Sequence, residues 1–192
     1  GMFDRESTIT LEPNAPIIVF DTSGPVFQDP TLKRVYTAAV SSWIDRLLQA
    51  RDGLRRIIVC EEAWDLLGNP QLVDSLQTRQ RSAGHWGCAT WLIVHGVADM
   101  TQVFNQGSGL RGKVEQLMNL METIIYRQGG ENIALLNQLV PDLSEDELDM
   151  IPQLAQGFGI WRIGRSHPRM ILPVAGPRWA ATFDTSGLRK AS

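Results

Sequence analysis

The sequence predicts an α/β fold, a mostly parallel sheet flanked by helices and closed by a carboxy-terminal β-hairpin. Three observations carry that expectation. Short β-branched runs alternate with longer segments of helical period, the pattern of strands joined by crossover helices. The chain has 192 residues, 43% of them hydrophobic and 20% charged, which suits one globular core and excludes disorder and fibrous repeats. No Pro- or Ser-rich linker and no internal repeat breaks the chain, so a single domain over residues 1–192 is expected.

The expected strands, in order, are Thr8 to Leu11, Pro16 to Asp21, Arg55 to Cys60, Cys88 to His95, Glu122 to Arg127, and a closing pair at Gly157 to Gly164 and Arg169 to Val174. The last two read as a hairpin. Thr31 to Arg51 places Leu32, Tyr36, Ala39, Trp43 and Leu47 on one stripe, with Arg34, Arg46 and Arg51 elsewhere, so it should pack as an amphipathic helix on the sheet. Ser144 opens SEDELDMIPQLAQG, where a capping Ser precedes Glu147 by three residues, acidic residues fill the first turn and Gly157 follows the end. A helix should start there.

Charge and targeting patterns narrow the function classes. Fifteen of the 18 basic residues are Arg, suited to bidentate phosphate contact, yet the net charge is -3, so any phosphate binding must be local and not a coating of nucleic acid. The longest mostly apolar stretch, Cys88 to Ala98, is too short to span a bilayer and carries His95. With no amino-terminal signal pattern, a cytoplasmic chain is expected. Cys60 and Cys88 both lie in apolar runs and read as buried reduced thiols, with no second pair to make a zinc site. Gly1 before Met2 reads as the scar of a cleaved purification tag.

The segment richest in chemistry is RRIIVCEEAWDLL, Arg55 to Leu67, in which a buried strand ends in two carboxylates. Strand ends are where open α/β folds bind ligands. Side chains alternate along a strand, so Glu61 and Glu62 should diverge instead of flanking one substrate as a glycosidase pair does. Two separate jobs follow: one carboxylate can hold the water shell of a Mg²⁺ while the other polarises an attacking water. On these residues alone a solvated acidic turn capping the helix that starts near Ala63 explains the pair equally well. Trp64, Trp91 and Trp161 fall at or beside strands and read as packing residues.

Taken with QTRQRSAGHWG, WLIVHGVADM, METIIYRQ, LSEDELDMIPQLAQGFGIWRIG and TFDTSG, the IIVCEEAWDLL signature resembles the motor domain of conjugative type IV secretion ATPases, especially actinobacterial members. These belong to the hexameric DNA-pumping class of P-loop ATPases. The resemblance covers nearly the whole chain from Phe3. It implies a RecA-like (P-loop NTPase-type) sheet, ATP and Mg as cofactors, a homo-oligomer that is hexameric in the complete motor, type IV secretion channel proteins as partners, and DNA or a relaxase–DNA complex as indirect substrate. The implied location is the cytoplasm, peripheral at the inner face of the cell membrane. By the same resemblance Glu61 stands where relatives carry the Asp of the metal-facing pair, and Glu62 stands at the hydrolytic glutamate. Glu for Asp adds one methylene. His95 occupies the position of a Gln that senses the γ-phosphate in most relatives, and imidazole can also donate there. Arg79 and Arg81 match a helix whose arginines reach a nucleotide or a neighbouring subunit, where a guanidinium stabilises spreading phosphate charge.

The phosphate cradle of such an ATPase, a Gly-rich loop after a strand with Lys and then Ser or Thr, has only a decoy in this sequence. GSGLRGKV, Gly107 to Val114, fits GxxxxGK, but Val114 replaces the hydroxyl and no β run precedes Gly107. It reads as a loop entering a helix with Val114, Leu117 and Leu120 inward. The resemblance therefore implies the carboxy-terminal part of a motor domain, inactive by itself, and the missing cradle strand should leave Cys88 to His95 either closing directly on Glu122 to Arg127 or pairing with a second copy as a dimer. A non-catalytic truncated homologue acting as an assembly module is the alternative. An unrelated carboxylate enzyme is disfavoured, because no suitably spaced third ligand accompanies Glu61 and Glu62.

Overall fold

The computed structural model describes residues 12–95, 108–127, 133, 143–164, 166–174 and 176. They fall into two compact units, residues 1–94 and 95–192. The expected strand Thr8 to Leu11 and the TFDTSG segment lie outside the described residues.

In the first unit a 20-residue helix, α1 (Pro30–Gln49), leads into strand β1 (Arg56–Cys60), a four-residue helix α2 (Trp64–Leu67), helix α3 (Pro70–Trp86) and strand β2 (Cys88–Leu92). Each long helix starts by the same local chemistry. Asp29 accepts from the Thr31 and Leu32 amides ahead of Pro30, and Asn69 accepts from those of Gln71 and Leu72 ahead of Pro70. Gly87 ends α3 at φ +64, a left-handed turn that an L side chain would strain. This reverses the chain so that β2 runs parallel to β1, in register from Arg56 opposite Cys88 to Cys60 opposite Leu92. The inward face of the pair carries Ile58, Cys60, Cys88 and Leu92, while Ile57, Val59 and Trp91 stand outward.

The second unit holds helix α4 (Ser108–Asn119), strand β3 (Thr123–Arg127), helix α5 (Glu145–Met150) with a 3-10 turn at Ile151–Gln153, and strands β4 (Gly159–Ile163) and β5 (Arg169–Ile171). The three strands form an antiparallel sheet in the order β3-β4-β5. Val114 and Leu117 are fully buried on α4, as their spacing predicts. The closing hairpin is present as β4 and β5. α5 carries the expected reciprocal cap: Ser144 Oγ accepts from the Glu147 amide at 3.3 Å, and Glu147 Oε2 accepts from the Ser144 amide at 2.8 Å. Ser144→Ala should therefore cost about 1 kcal/mol, read as a lower urea midpoint at an unchanged slope.

Two expectations are corrected. The described sheet is not mostly parallel: one parallel pair, β1–β2, stands against a three-stranded antiparallel sheet. Alternation along a strand reports which face is buried and carries no information about direction. Pro16 to Asp21 forms no ladder among the described residues, although its exposure alternates, with Ile17 and Val19 outward and Phe20 edge-on to Trp43 at 5.7 Å. β propensity expresses fit to a pleated neighbour, and here no neighbour is present among the described residues.

Candidate functional site

The ladder between β1 and β2 continues past the strand ends: the Ile93 amide donates to Cys60 O at 2.9 Å, and the Ala63 amide donates to Ile93 O at 3.0 Å. These bonds clamp the two residues between them, Glu61 and Glu62, onto a turn at the carboxyl end of the parallel pair. Both carboxylates are exposed at that lip. Glu62 has φ +50, a left-handed conformation that costs a non-glycine residue on the order of 1 kcal/mol or more. The strand alternation expected to separate the two acids is replaced by this turn. The Asp65 amide donates back to Glu62 O at 3.1 Å and starts α2.

A second group of side chains braces the turn. Trp64 Nε1 donates to Glu62 Oε2 at 2.6 Å. Lys33, one turn into α1, places Nζ 5.8 Å from the centre of the Trp64 ring and is ion-paired with Asp65. Lys33 and Asp65 are missing from the sequence-based site. The (i, i+3) spacing of Glu62 and Asp65 around Trp64 was visible in the text, but nothing in it linked Lys33 to a segment thirty residues later.

The arginines separate into two environments. Arg79 is 2% exposed and lies in the seam between α1 and α3, donating through Nε and Nη2 to Asp45 Oδ1 at 3.1 and 2.8 Å and through Nη2 to Ser41 Oγ at 3.2 Å. Ser75 Oγ donates to the other Asp45 oxygen at 2.5 Å. Arg79 is thus committed to a buried polar knot. Arg81, two residues on, is exposed and donates to Gln77 Oε1 at 3.2 Å. On the expected α1 stripe Leu32, Tyr36, Trp43 and Leu47 are half-buried and Ala39 is exposed, while Leu48 beside it is fully buried.

His95 is exposed and is the first residue of the second unit. The remainder of the sensor-like text WLIVHGVADM, from residue 96, lies outside the described residues. The decoy glycine and lysine, Gly112 and Lys113, sit within α4 and so form no anion-holding loop. Both cysteines are free. Burial pushes the Cys60 thiol up, with Arg79 acting the other way, and burial raises Cys88 likewise.

Among the described residues no group of three or more His, Cys, Asp or Glu side chains could enclose a metal ion. Mg²⁺ keeps several waters and is held by one or two carboxylates, and the turn presents two exposed carboxylates, Glu61 and Glu62. No described helix is long and apolar enough to cross a membrane.

No protein-family profile matches the chain, and no curated protein matches it. Among solved structures the chain is similar to VirB4 of Thermoanaerobacter pseudethanolicus, with a TM-score of 0.64 at 21% identity over 78% of this chain and 39% of that one. The chain spans about two fifths of the length of the VirB4 chain it matches, and the likeness shows a shared α/β fold.

Proposed function

We propose that the chain is the carboxy-terminal part of the RecA-like motor domain of a type IV secretion ATPase of actinobacterial type, and that it supplies the water-activating side of the nucleotide site. The observation that carries this reading is the exposed Glu61–Glu62 turn at the carboxyl end of a parallel strand pair. The fold likeness to VirB4 supports it, and it is the likeness that the resemblance to conjugative secretion ATPases leads one to expect.

In this reading Glu61 holds the water shell of Mg²⁺, and the metal's chemistry when bound is to neutralise charge on the phosphates. Glu62 orients and polarises the water that attacks the γ-phosphate. His95 contributes an N–H toward that phosphate, and Arg81, exposed on α3, is available to a nucleotide or a neighbouring subunit. Arg79 serves the site by fixing α1 against α3. The phosphate cradle comes from polypeptide outside this sequence. The assembled motor is a hexamer at the cytoplasmic face of the membrane, working with type IV secretion channel proteins on DNA or a relaxase–DNA complex.

Without cradle and lysine the charge of the transition state is uncompensated, and loss of one such element typically lowers rates by orders of magnitude. The isolated chain should therefore release phosphate from ATP at no more than the buffer rate in a malachite-green assay. Turnover by the chain alone that disappears in Glu62→Gln would refute the division of the site. Calorimetry with Mg·ATP should show binding when the chain is combined with a polypeptide bearing a GxxxxGK[ST] loop of the same motor class, and none by either piece alone.

One observation favours a second reading, a non-catalytic assembly module. The outward face of the β1–β2 pair exposes Ile57, Val59 and Trp91 at 63%, 51% and 58%, whereas parallel sheets are normally covered on both faces. A dimer in sedimentation velocity that Trp91→Glu dissociates, together with no nucleotide binding in any mixture, would favour the module.

A further inference from the structure

We infer that Trp64 is a positioning residue for Glu62, and that Lys33 of α1 acts on the glutamate through the indole ring. The inference rests on the reading of Glu62 as the water-activating group. Its structural half stands on independent contacts.

Glu62 needs a brace. Its left-handed backbone is strained, its side chain is exposed, and a glutamate has three rotatable bonds, so an unheld carboxylate would be spread over many rotamers. The Trp64 indole N–H meets one carboxylate oxygen at 2.6 Å, a charge-assisted bond from a donor two residues away. It takes one oxygen only. Indole can donate a single hydrogen and accept none, so it orients the carboxylate without competing for the water proton that the carboxylate must take.

The other end of the contact chain is Lys33. Its ammonium lies within cation–π range of the same ring, and Asp65, one residue past Trp64, fixes the ammonium by an ion pair. A cation on the π face draws electron density from the ring and makes the N–H a stronger donor. The sequence of contacts is therefore Asp65 to Lys33, Lys33 to the indole face, and indole N–H to Glu62. It ties the catalytic turn to the first turns of α1. A shift of α1 along its axis would release the lysine from the ring and loosen the glutamate, a route by which events at α1 could set the rate of the chemical step without touching nucleotide.

The test is ¹H–¹⁵N NMR of the tryptophan indoles in the full chain, with Trp64→Phe for assignment. In the unaltered protein the Trp64 indole hydrogen should exchange with solvent at least several-fold more slowly than that of Trp91, which is 58% exposed. Glu62→Ala should move the Trp64 indole resonance and remove its protection. Lys33→Met should move it in the same direction by less, and Glu61→Ala should leave it in place. An indole resonance indifferent to Glu62→Ala, or one exchanging as fast as Trp91 in the unaltered protein, overturns the inference whatever Glu62 does to ATP. In the combined motor, replacing Trp64 by β-(3-benzothienyl)alanine, which keeps the ring shape without the N–H, should lower kcat about tenfold at unchanged KM for ATP. Full kcat in that variant overturns the positioning role while leaving the reading of Glu62 intact. A response of the resonance to Glu62→Ala, combined with turnover indifferent to Glu62→Gln, overturns the reading and, with it, the functional half of the inference.

Discussion

Glu62→Gln should reduce ATP turnover of the combined motor by roughly 10²- to 10⁴-fold with little change in KM, the range for removing a positioned general base. The amide has nearly the shape of the carboxylate, so the turn and its Trp64 neighbour should survive, and nucleotide should still bind through the cradle. What disappears is the ability to accept a proton from the attacking water. Glu61→Gln should act differently. It weakens the hold on the Mg²⁺ water shell, so its main effect should be a higher Mg²⁺ requirement, with part of the rate restored at high Mg²⁺. Equal losses in the two variants, or a Glu62→Gln effect that excess Mg²⁺ repairs, would contradict the separate jobs assigned to the pair. Phosphate release measured across a Mg²⁺ titration reads both.

The second large effect concerns stability. Asp45→Ala should destabilise the first unit by about 3 kcal/mol, because it strands the guanidinium of Arg79, 2% exposed, without its counter-charge. Arg79→Met should cost less, since the Asp45 side chain it leaves behind is 23% exposed and can be hydrated. The double variant Asp45→Leu/Arg79→Met should recover much of the loss, as apolar packing replaces the pair. Urea unfolding followed by circular dichroism orders the three. This order also separates two roles for Arg79. A guanidinium reserved for a nucleotide or a neighbouring subunit would lose activity on replacement with stability unchanged, whereas the knot with Asp45, Ser41 and Ser75 makes stability the first casualty.

Much of the local structure was legible because its causes are local. The cap at Ser144 with Glu147 depends on residues within four positions, and it stands where its signature lies. β1, β2 and the closing hairpin followed from short β-branched runs. What stayed hidden depends on partners distant in sequence. Strand direction is decided by which neighbour a strand meets, so β3 against β4 could not be read from alternation. The α1 stripe was read as apolar, yet Ser41 and Asp45 turn inward because Arg79 waits 34 residues later. Within the site, the exposure of Glu61 and Glu62 at the strand end agrees with their position in IIVCEEAW. The left-handed turn at Glu62 and the brace of Trp64 and Lys33 had no sequence signal, since neither a positive φ at glutamate nor a cross-helix cation contact leaves a pattern in composition.

The most direct test of the nucleotide-site claim is paramagnetic: Mn·ATP added to the ¹⁵N-labelled chain in the presence of the cradle-bearing polypeptide. Selective broadening of the Glu61, Glu62 and Ala63 amides, absent without ATP and abolished in Glu61→Ala, is the expected result. Broadening centred on Lys113 and its helix, or none at the Glu61–Glu62 turn while ATP is bound, would contradict it.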